Sequence, residues 1–329
     1  MVKLLHEEDA NLEVLNGKTI AVIGYGAQGR AQSLCLKDSG VDVIVGVREN
    51  GPSWEKAKAE GHNVMTVEDA AKAGDIIHIL IPDEVQKDVY ESQIKEHVTE
   101  GKVLSWSHGF NVIFERIAPP EGVDIIMVAP KAPGTEVRRT FEQGFGVPGL
   151  YSVYKDVSGS AKDVALAMAK GMGLTRAGVM SCTFGEETYE DLFGEQTVLC
   201  GGAVELVKKG FEVLTEAGYP AEMAYFECLH ELKLIVDLMY EGGITKMYDV
   251  VSNTAEYGGR TVGPKIITEQ SKKAMKEALD RVESGQFAKE WIAEHEAGLP
   301  NLKRMREEEE KHPIEVVGKQ IRALFEKKE

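Results

Sequence analysis

Lys18-Thr-Ile-Ala-Val-Ile-Gly-Tyr-Gly-Ala-Gln-Gly29 decides the fold of the first half of this chain. Lys18 to Ile23 is a short, largely β-branched apolar run, the pattern of a buried parallel strand. Gly24, Gly26 and Gly29 follow at once in G-x-G-x-x-G spacing, with Tyr25, Ala27 and Gln28 between them. A helical stretch then runs to Lys37, and a second strand, Val41-Asp-Val-Ile-Val45, completes a βαβ unit. In that setting Gly24 permits a tight turn, Gly26 lets the backbone approach a pyrophosphate, and Gly29 lets helix and strand pack closely. The helix N-terminus offers unpaired N–H groups to the phosphates. The glycines alone could be an ordinary turn; the strand, helix and strand around them make this a dinucleotide site.

The same rhythm continues. Asp75 to Ile81, Lys102 to Ser105 and Asp124 to Val128 read as further strands, with helical stretches such as Glu84 to His97 between them. Alternating strands and helices predict an α/β Rossmann-type, doubly wound parallel sheet, with ligands at the carboxyl ends of the strands. Three loops fall at such ends: Pro82 to Gln86 (with Asp83, Glu84 and Val85), Ser107-His-Gly109, and Pro130 to Gly134. His108 and Lys131 are the titratable residues to watch there. His108 can orient ligands or move protons. Lys131 can neutralise a carboxylate. A hydrogen-bonded loop histidine and a solvated lysine are the plain alternatives.

The loop after the second strand, Gly46-Val-Arg-Glu-Asn-Gly-Pro-Ser-Trp54, bears on the cofactor. Arg48 and Ser53 suit the 2′-phosphate of NADPH. Glu49 stands where an acid would bind the ribose hydroxyls of NADH and repel a phosphate. The expectation is that NADH is accepted, and preferred if Glu49 dominates.

After about Met180 the strand pattern stops. Gly201 to Ala217, Ala221 to Tyr240, Thr268 to Ser284 and Gln286 to His295 read as amphipathic helices. Leu206, Phe211, Leu214, Leu232, Ile235 and Leu238 have core spacing. Residues 1–182 are therefore expected to form the dinucleotide-binding domain and residues 183–329 an all-α domain. Two carboxylate pairs lie in the second half, Asp191 with Glu195 and Glu227 with Glu231, each at i,i+4 and so on one helix face. Each is set among apolar residues, and buried carboxylates sharing a site must be protonated, paired or bound to a cation. Four hard oxygen ligands favour Mg2+ over Zn2+. Solvated acids on helix surfaces are the plain alternative. Ser252, before a polar stretch ending at Gly258, is either a substrate-binding hydroxyl or a helix cap.

The 329 residues carry a formal net charge of -16, which argues against non-specific nucleic-acid binding. The four cysteines include no C-x-x-C pair, as expected for a reducing compartment. Met1 to Glu13 is too acidic for a signal peptide, and no apolar run is long enough to span a membrane. A cytoplasmic location is expected.

Taken together, Gly24 to Gly29, Asp191-Leu-Phe-Gly-Glu-Gln196, Leu229-His-Glu-Leu-Lys-Leu234 and Ser252-Asn-Thr-Ala-Glu-Tyr-Gly258 resemble the short (class I) ketol-acid reductoisomerases, from about Leu12 to Arg322. The departures are Ala27 and Arg30 in place of Ser and His, Thr135 in place of a frequent His, and Gly51 in place of a phosphate-binding Ser. The last, with Glu49, departs from the usual NADPH pattern.

The resemblance implies a Mg2+-dependent alkyl shift in 2-acetolactate or 2-aceto-2-hydroxybutyrate, then reduction by NAD(P)H to a 2,3-dihydroxy acid. The pathway implied is valine, leucine and isoleucine synthesis. It implies two Mg2+ ions on Asp191, Glu195, Glu227 and Glu231, with Glu231 also relaying protons. His108 would lie near the nicotinamide, Lys131 beside the metal ligands, and Ser252 on the substrate carboxylate. The implied cofactor set is Gly24, Tyr25, Gly26, Ala27, Gln28, Gly29, Arg48, Glu49, Gly51, Ser53, Asp83, Glu84, Val85, Gln86, His108 and Gly134. It further implies a knotted helical domain and a homodimer whose subunits share each active site, with higher assembly left open.

Two other readings compete. A metal-independent 3-hydroxy acid dehydrogenase would use a helix lysine, for which Lys233 is available. A non-catalytic NAD(H)-sensing regulator would need only the glycine loop.

Overall fold

The structure is a computed structural model and describes residues 3–325. It divides into two compact units between Thr188 and Tyr189. The division falls inside a helix, Phe184–Gly194, rather than just ahead of it at the 182/183 boundary expected from sequence.

The first unit holds a nine-stranded sheet of β1 (Leu4–Leu5), β2 (Thr19–Ile23), β3 (Asp42–Gly46), β4 (Asn63–Met65), β5 (Ile76–Ile79), β6 (Val103–Trp106), β7 (Asp124–Pro130), β8 (Gly149–Lys155) and β9 (Val179–Ser181). Their order is β1-β9-β8-β7-β6-β5-β2-β3-β4. The five strands read from sequence, β2, β3, β5, β6 and β7, are mutually parallel and central. The margin is mixed: β8 runs antiparallel to β7 and β1 antiparallel to β9. The strand order reverses beside β2, and crevices at such a reversal receive ligands.

Helices α1 (Ala27–Asp38), α2 (Pro52–Ala59), α3 (Val67–Ala73), α4 (Asp83–Val89), α5 (Phe110–Ile113), α6 (Gly134–Glu142), α7 (Ala161–Gly171), α8 (Leu174–Ala177) and α9 (Phe184–Gly194) complete this unit, α9 running on past the division. Side chains alternate across the sheet. Ile20 and Val22 join a cluster with Cys35 and Met168, whereas Ala21 and Ile23 join another with Tyr90 and Trp106. Strands buried on both faces explain why the sequence shows continuous apolar runs.

The second unit is helical: α10 (Gly202–Glu216), α11 (Ala221–Tyr225), α12 (Glu231–Val250), α13 (Asn253–Ile266), α14 (Glu269–Glu283), α15 (Gln286–Glu296), α16 (Pro300–Glu310) and α17 (Pro313–Phe325). Val207, Phe211, Ala224, Tyr225, Ile314 and Ile321 form its core. Leu206, expected inside, is 47% exposed, because the buried stripe of α10 runs through Val207. The helix expected over 221–240 is interrupted by a π turn, Phe226–His230. Neither α12 nor α13 buries a single residue in this chain.

Candidate active site

The glycine loop leaves β2 with Gly24 at φ 108, where a Cβ would meet the Leu80 carbonyl oxygen at 2.8 Å. A Cβ on Gly29 would lie 2.3 Å from the Gly24 carbonyl oxygen, so this glycine closes the turn on itself. Nothing lies within 4 Å of a Cβ built on Gly26, the position that must admit a ligand. No side chain caps α1 at Gly26, which leaves its first-turn amides for a phosphate. Tyr25 turns inward, donating its hydroxyl to Glu60 at 2.6 Å. Burial and that carboxylate raise its pKa. Arg30 pairs with the same Glu60 at 2.7 Å.

After β3, Arg48 and Glu49 are exposed and Asn50 adopts the left-handed region at φ 56. The Gly51 N–H donates to the Arg48 carbonyl at 3.2 Å, and Pro52 and Ser53 then open α2. A Cβ at Gly51 would also sit 3.2 Å from that carbonyl, so a serine there needs the turn to shift.

Asp83, Glu84, Val85 and Gln86 form the start of α4. The Gln86 carboxamide faces inward: it donates to the Ile81 carbonyl at 2.8 Å and accepts from the Trp106 indole at 3.1 Å. Its side chain thus braces the loop from within. Gly134 opens α6, and a Cβ there would lie 2.2 Å from the Ala27 carbonyl oxygen, so the Lys131 loop abuts the glycine loop.

His108 leaves β6 and packs beside α9. Its Nδ1 lies 3.1 Å from a carboxylate oxygen of Glu187, which also accepts from the Gly109 N–H at 3.3 Å. A Cβ on Gly109 would collide with the Thr188 hydroxyl at 2.3 Å. Glu187 is a candidate site residue that the sequence reading missed. It precedes Asp191 by four on the same helix, the spacing that singled out the other pairs.

In the second unit each carboxylate pair spans one end of a π turn. Asp191 lies in the last turn of α9, which ends at Gly194, and Glu195 begins the π turn Glu195–Leu199; Glu227 lies in the π turn Phe226–His230 and Glu231 begins α12. Such turns are rare and concentrate at functional sites. The expectation that all four are buried is corrected: Glu195, Glu227 and Glu231 are exposed, as are Val198 and Leu234 beside them, because they lie on the faces of these helices that the described residues leave open to solvent. Among the described residues, no three of the four carboxylates converge within 4.8 Å. Ser252 caps α13, its Oγ accepting from the Ala255 N–H at 3.2 Å. Lys233, the base that a simple dehydrogenase would need, is exposed and ion-paired with Asp237.

Residues 14–178 match the family described as acetohydroxy acid isomeroreductase, NADPH-binding domain, and residues 184–327 match ketol-acid reductoisomerase, C-terminal domain. The chain belongs to the ketol-acid reductoisomerase family. A ketol-acid reductoisomerase (NADP(+)) of Akkermansia muciniphila is 61% identical over 98% of this chain and 99% of its own length. A ketol-acid reductoisomerase (NAD(+)) of an uncultured archaeon is 58% identical over 99% of this chain and 100% of its own. A solved structure of an NADH-preferring ketol-acid reductoisomerase from an uncultured archaeon superposes with a TM-score of 0.97 at 58% identity, covering 99% of this chain and 100% of that one. This reductoisomerase is accordingly an oxidoreductase that uses a nicotinamide cofactor. No helix among its described residues is long and apolar enough to cross a membrane.

Proposed function

We propose that this chain isomerises 2-acetolactate or 2-aceto-2-hydroxybutyrate and reduces the product with NAD(P)H to a 2,3-dihydroxy acid, in branched-chain amino acid synthesis. The observation that carries the metal part of this reading is the pair of i,i+4 carboxylate clamps, each set at a π turn. Their donors are all hard oxygens, the set that suits Mg2+. Asp191 and Glu195 would hold two ions together with Glu227 and Glu231. When bound, the ions supply Lewis acidity to the substrate ketone and hydroxyl and fix their geometry.

The protein groups do the rest. Glu231 accepts and relays the substrate hydroxyl proton at a carboxylate oxygen. Lys131 brings a positive charge to the carboxylate set. The Ser252 hydroxyl, while accepting from the Ala255 N–H, keeps its own O–H for the substrate carboxylate. His108, oriented through Nδ1 by Glu187, borders the nicotinamide. Gly24, Gly26, Gly29 and Gly134 bring backbone close to the cofactor phosphates.

Two finer assignments belong to the same proposal. NADH is accepted: Glu49 is exposed where the adenosine ribose would lie, and Gly51 supplies no hydroxyl for a phosphate. Relatives of about equal identity carry both NAD(+) and NADP(+) names, so the loop residues are the guide. The chain also works as a homodimer in which Asp191 and Glu195 meet Glu227 and Glu231 of the partner subunit. Supporting this, α12 and α13 bury nothing yet present Tyr240 at 85% and Tyr257 at 74% exposure. A cytoplasmic site of action fits four free cysteines.

The test is oxidation of NADH and of NADPH with 2-acetolactate, with and without Mg2+. The proposal expects turnover only with Mg2+ and a substantial rate with NADH. Metal-free reduction of simple 2-keto acids with no reaction of 2-acetolactate would overturn it.

A further inference from the structure

Beneath the glycine loop, the His108 loop and the Lys131 loop lies a chain of buried and half-buried polar side chains. Gln32 of α1 is fully buried at its centre. Its Oε1 lies 2.8 Å from His78 Nε2, and its Nε2 lies 3.0 Å from both Gln28 Oε1 and Ser107 Oγ. Beyond these, His78 Nδ1 is 2.9 Å from Ser105 Oγ, Ser107 Oγ donates to the Val128 carbonyl at 2.8 Å, and Gln28 Nε2 donates to the Ala132 carbonyl at 2.9 Å.

One arrangement of the hydrogens satisfies these side chains, with the Ser107 hydroxyl also 3.3 Å from Gln32 Oε1 as a second acceptor. Gln32 Nε2 has two protons and two acceptors, which makes its Oε1 the acceptor and His78 Nε2 the donor. His78 Nδ1 then accepts from the Ser105 hydroxyl. Every bond runs outward from Ser105, through His78 and Gln32, to carbonyls in β7 and in the Lys131 loop. A neutral His78 is required for this direction, and complete burial depresses its pKa to about 4. Networks satisfied in this way have two costs on breaking: the lost bond and the buried partner left unpaired.

We propose that Gln32 is a positioning residue for the reductoisomerase reaction, tying the glycine loop through Gln28 to the His108 loop through Ser107 and to the Lys131 loop through Ala132. Cofactor cradle and reacting groups are thereby held in one register. The inference rests on the proposed function for what the loops do, and on the hydrogen bonds alone for their linkage.

The test uses Gln32→Leu and Ser107→Ala in the full-length protein, with folding checked by thermal melting. NADH affinity is read by fluorescence titration, kcat with 2-acetolactate, and the Mg2+ concentration at half-maximal activity. Misplacing reacting groups by fractions of an ångström costs large factors in rate. Gln32→Leu should weaken NADH binding by about threefold to tenfold and lower kcat by about tenfold, with the Mg2+ midpoint unchanged. Ser107→Ala, which removes one hydroxyl and no core volume, should move both in the same direction and covers the case in which Gln32→Leu fails to fold. Folded variants with wild-type affinity and kcat would overturn the proposal. So would a loss of both that follows the Mg2+ midpoint, since that marks general loosening. The NADH titration needs no turnover: an inactive wild type would count against the proposed function, and the loop linkage would still be read from NADH affinity, where wild-type affinity in both folded variants overturns it.

Discussion

Glu187 and His108 form a couple in which the acid is buried and the imidazole half-buried. The carboxylate is 2% exposed, and its oxygen sits 3.1 Å from the Nδ1 of the imidazole at the end of β6. Because Glu187 also accepts from the Gly109 N–H, it fixes both the ring and the backbone that carries it. A carboxylate acceptor keeps Nδ1 protonated and sets which edge of the ring faces the crevice. Glu187→Gln preserves shape but offers a donor as readily as an acceptor. It should lower kcat by about tenfold to a hundredfold while leaving NADH affinity within about threefold. Steady-state kinetics with a parallel NADH titration checks this; an unchanged kcat removes Glu187 from the mechanism.

Asp191→Asn keeps the volume of the first clamp and removes its charge. Mg2+-dependent turnover of 2-acetolactate should vanish, because the proposed metal site would lose one of its carboxylates. NADH binding, built in the other unit, should stay within about twofold. Retained Mg2+-dependent turnover in this variant would show that the clamp is a surface pair.

Two glycines of the same motif should respond in opposite ways. A methyl group at Gly29 meets a backbone oxygen at 2.3 Å, whereas one at Gly26 meets nothing within 4 Å. Gly29→Ala should destabilise the protein by about 1–3 kcal/mol. Gly26→Ala should leave the melting temperature in place and weaken NADH binding by about tenfold, the methyl standing where the pyrophosphate approaches. Melting curves and NADH titrations of both variants separate the two roles; a destabilised Gly26→Ala that binds NADH normally would reverse the assignment.

That division of labour shows how far the sequence carries. The glycine spacing and the apolar runs of β2, β3, β5, β6 and β7 are local patterns, and the structure places each as the spacing requires; the i,i+4 acids are equally visible as pairs, but their exposure is not. Glu187 obeyed the same rule but lies in the acid-rich stretch Glu186-Glu-Thr-Tyr-Glu-Asp191, where local sequence does not separate a buried acid from solvated ones. Gln32 and His78 are 46 residues apart, so their bond exists only once α1 has packed on the sheet. The π turns at Glu195 and Phe226 depend on one extra residue per turn, for which composition carries no mark. Leu206 has core spacing yet is exposed, because helix periodicity reports an apolar face without saying what covers it.

Stability should fall as the solution is acidified. Burial depresses the pKa of both His62 and His78 to about 4. Between that value and the ordinary pKa near 6.5, the unfolded chain binds protons that the folded chain refuses. Stability is therefore full above about pH 6.5 and declines toward pH 4, with a slope approaching about 1.4 kcal/mol per pH unit for fully buried His78. Urea denaturation midpoints at pH 7.5, 6 and 5 measure this window above the titration of most carboxylates. A midpoint that stays flat would mean that both imidazoles protonate in the folded state.

The central claim is that clamps from two copies of the chain complete one metal site. Co-expression of Asp191→Asn with Glu231→Gln tests it, each variant being inactive alone. In a mixed dimer one site collects both substitutions and the other collects neither. The account predicts recovery of about a quarter of wild-type activity, from random pairing with one intact site per mixed dimer. Mixed dimers, isolated through two different affinity tags, that remain as inactive as either parent would contradict it.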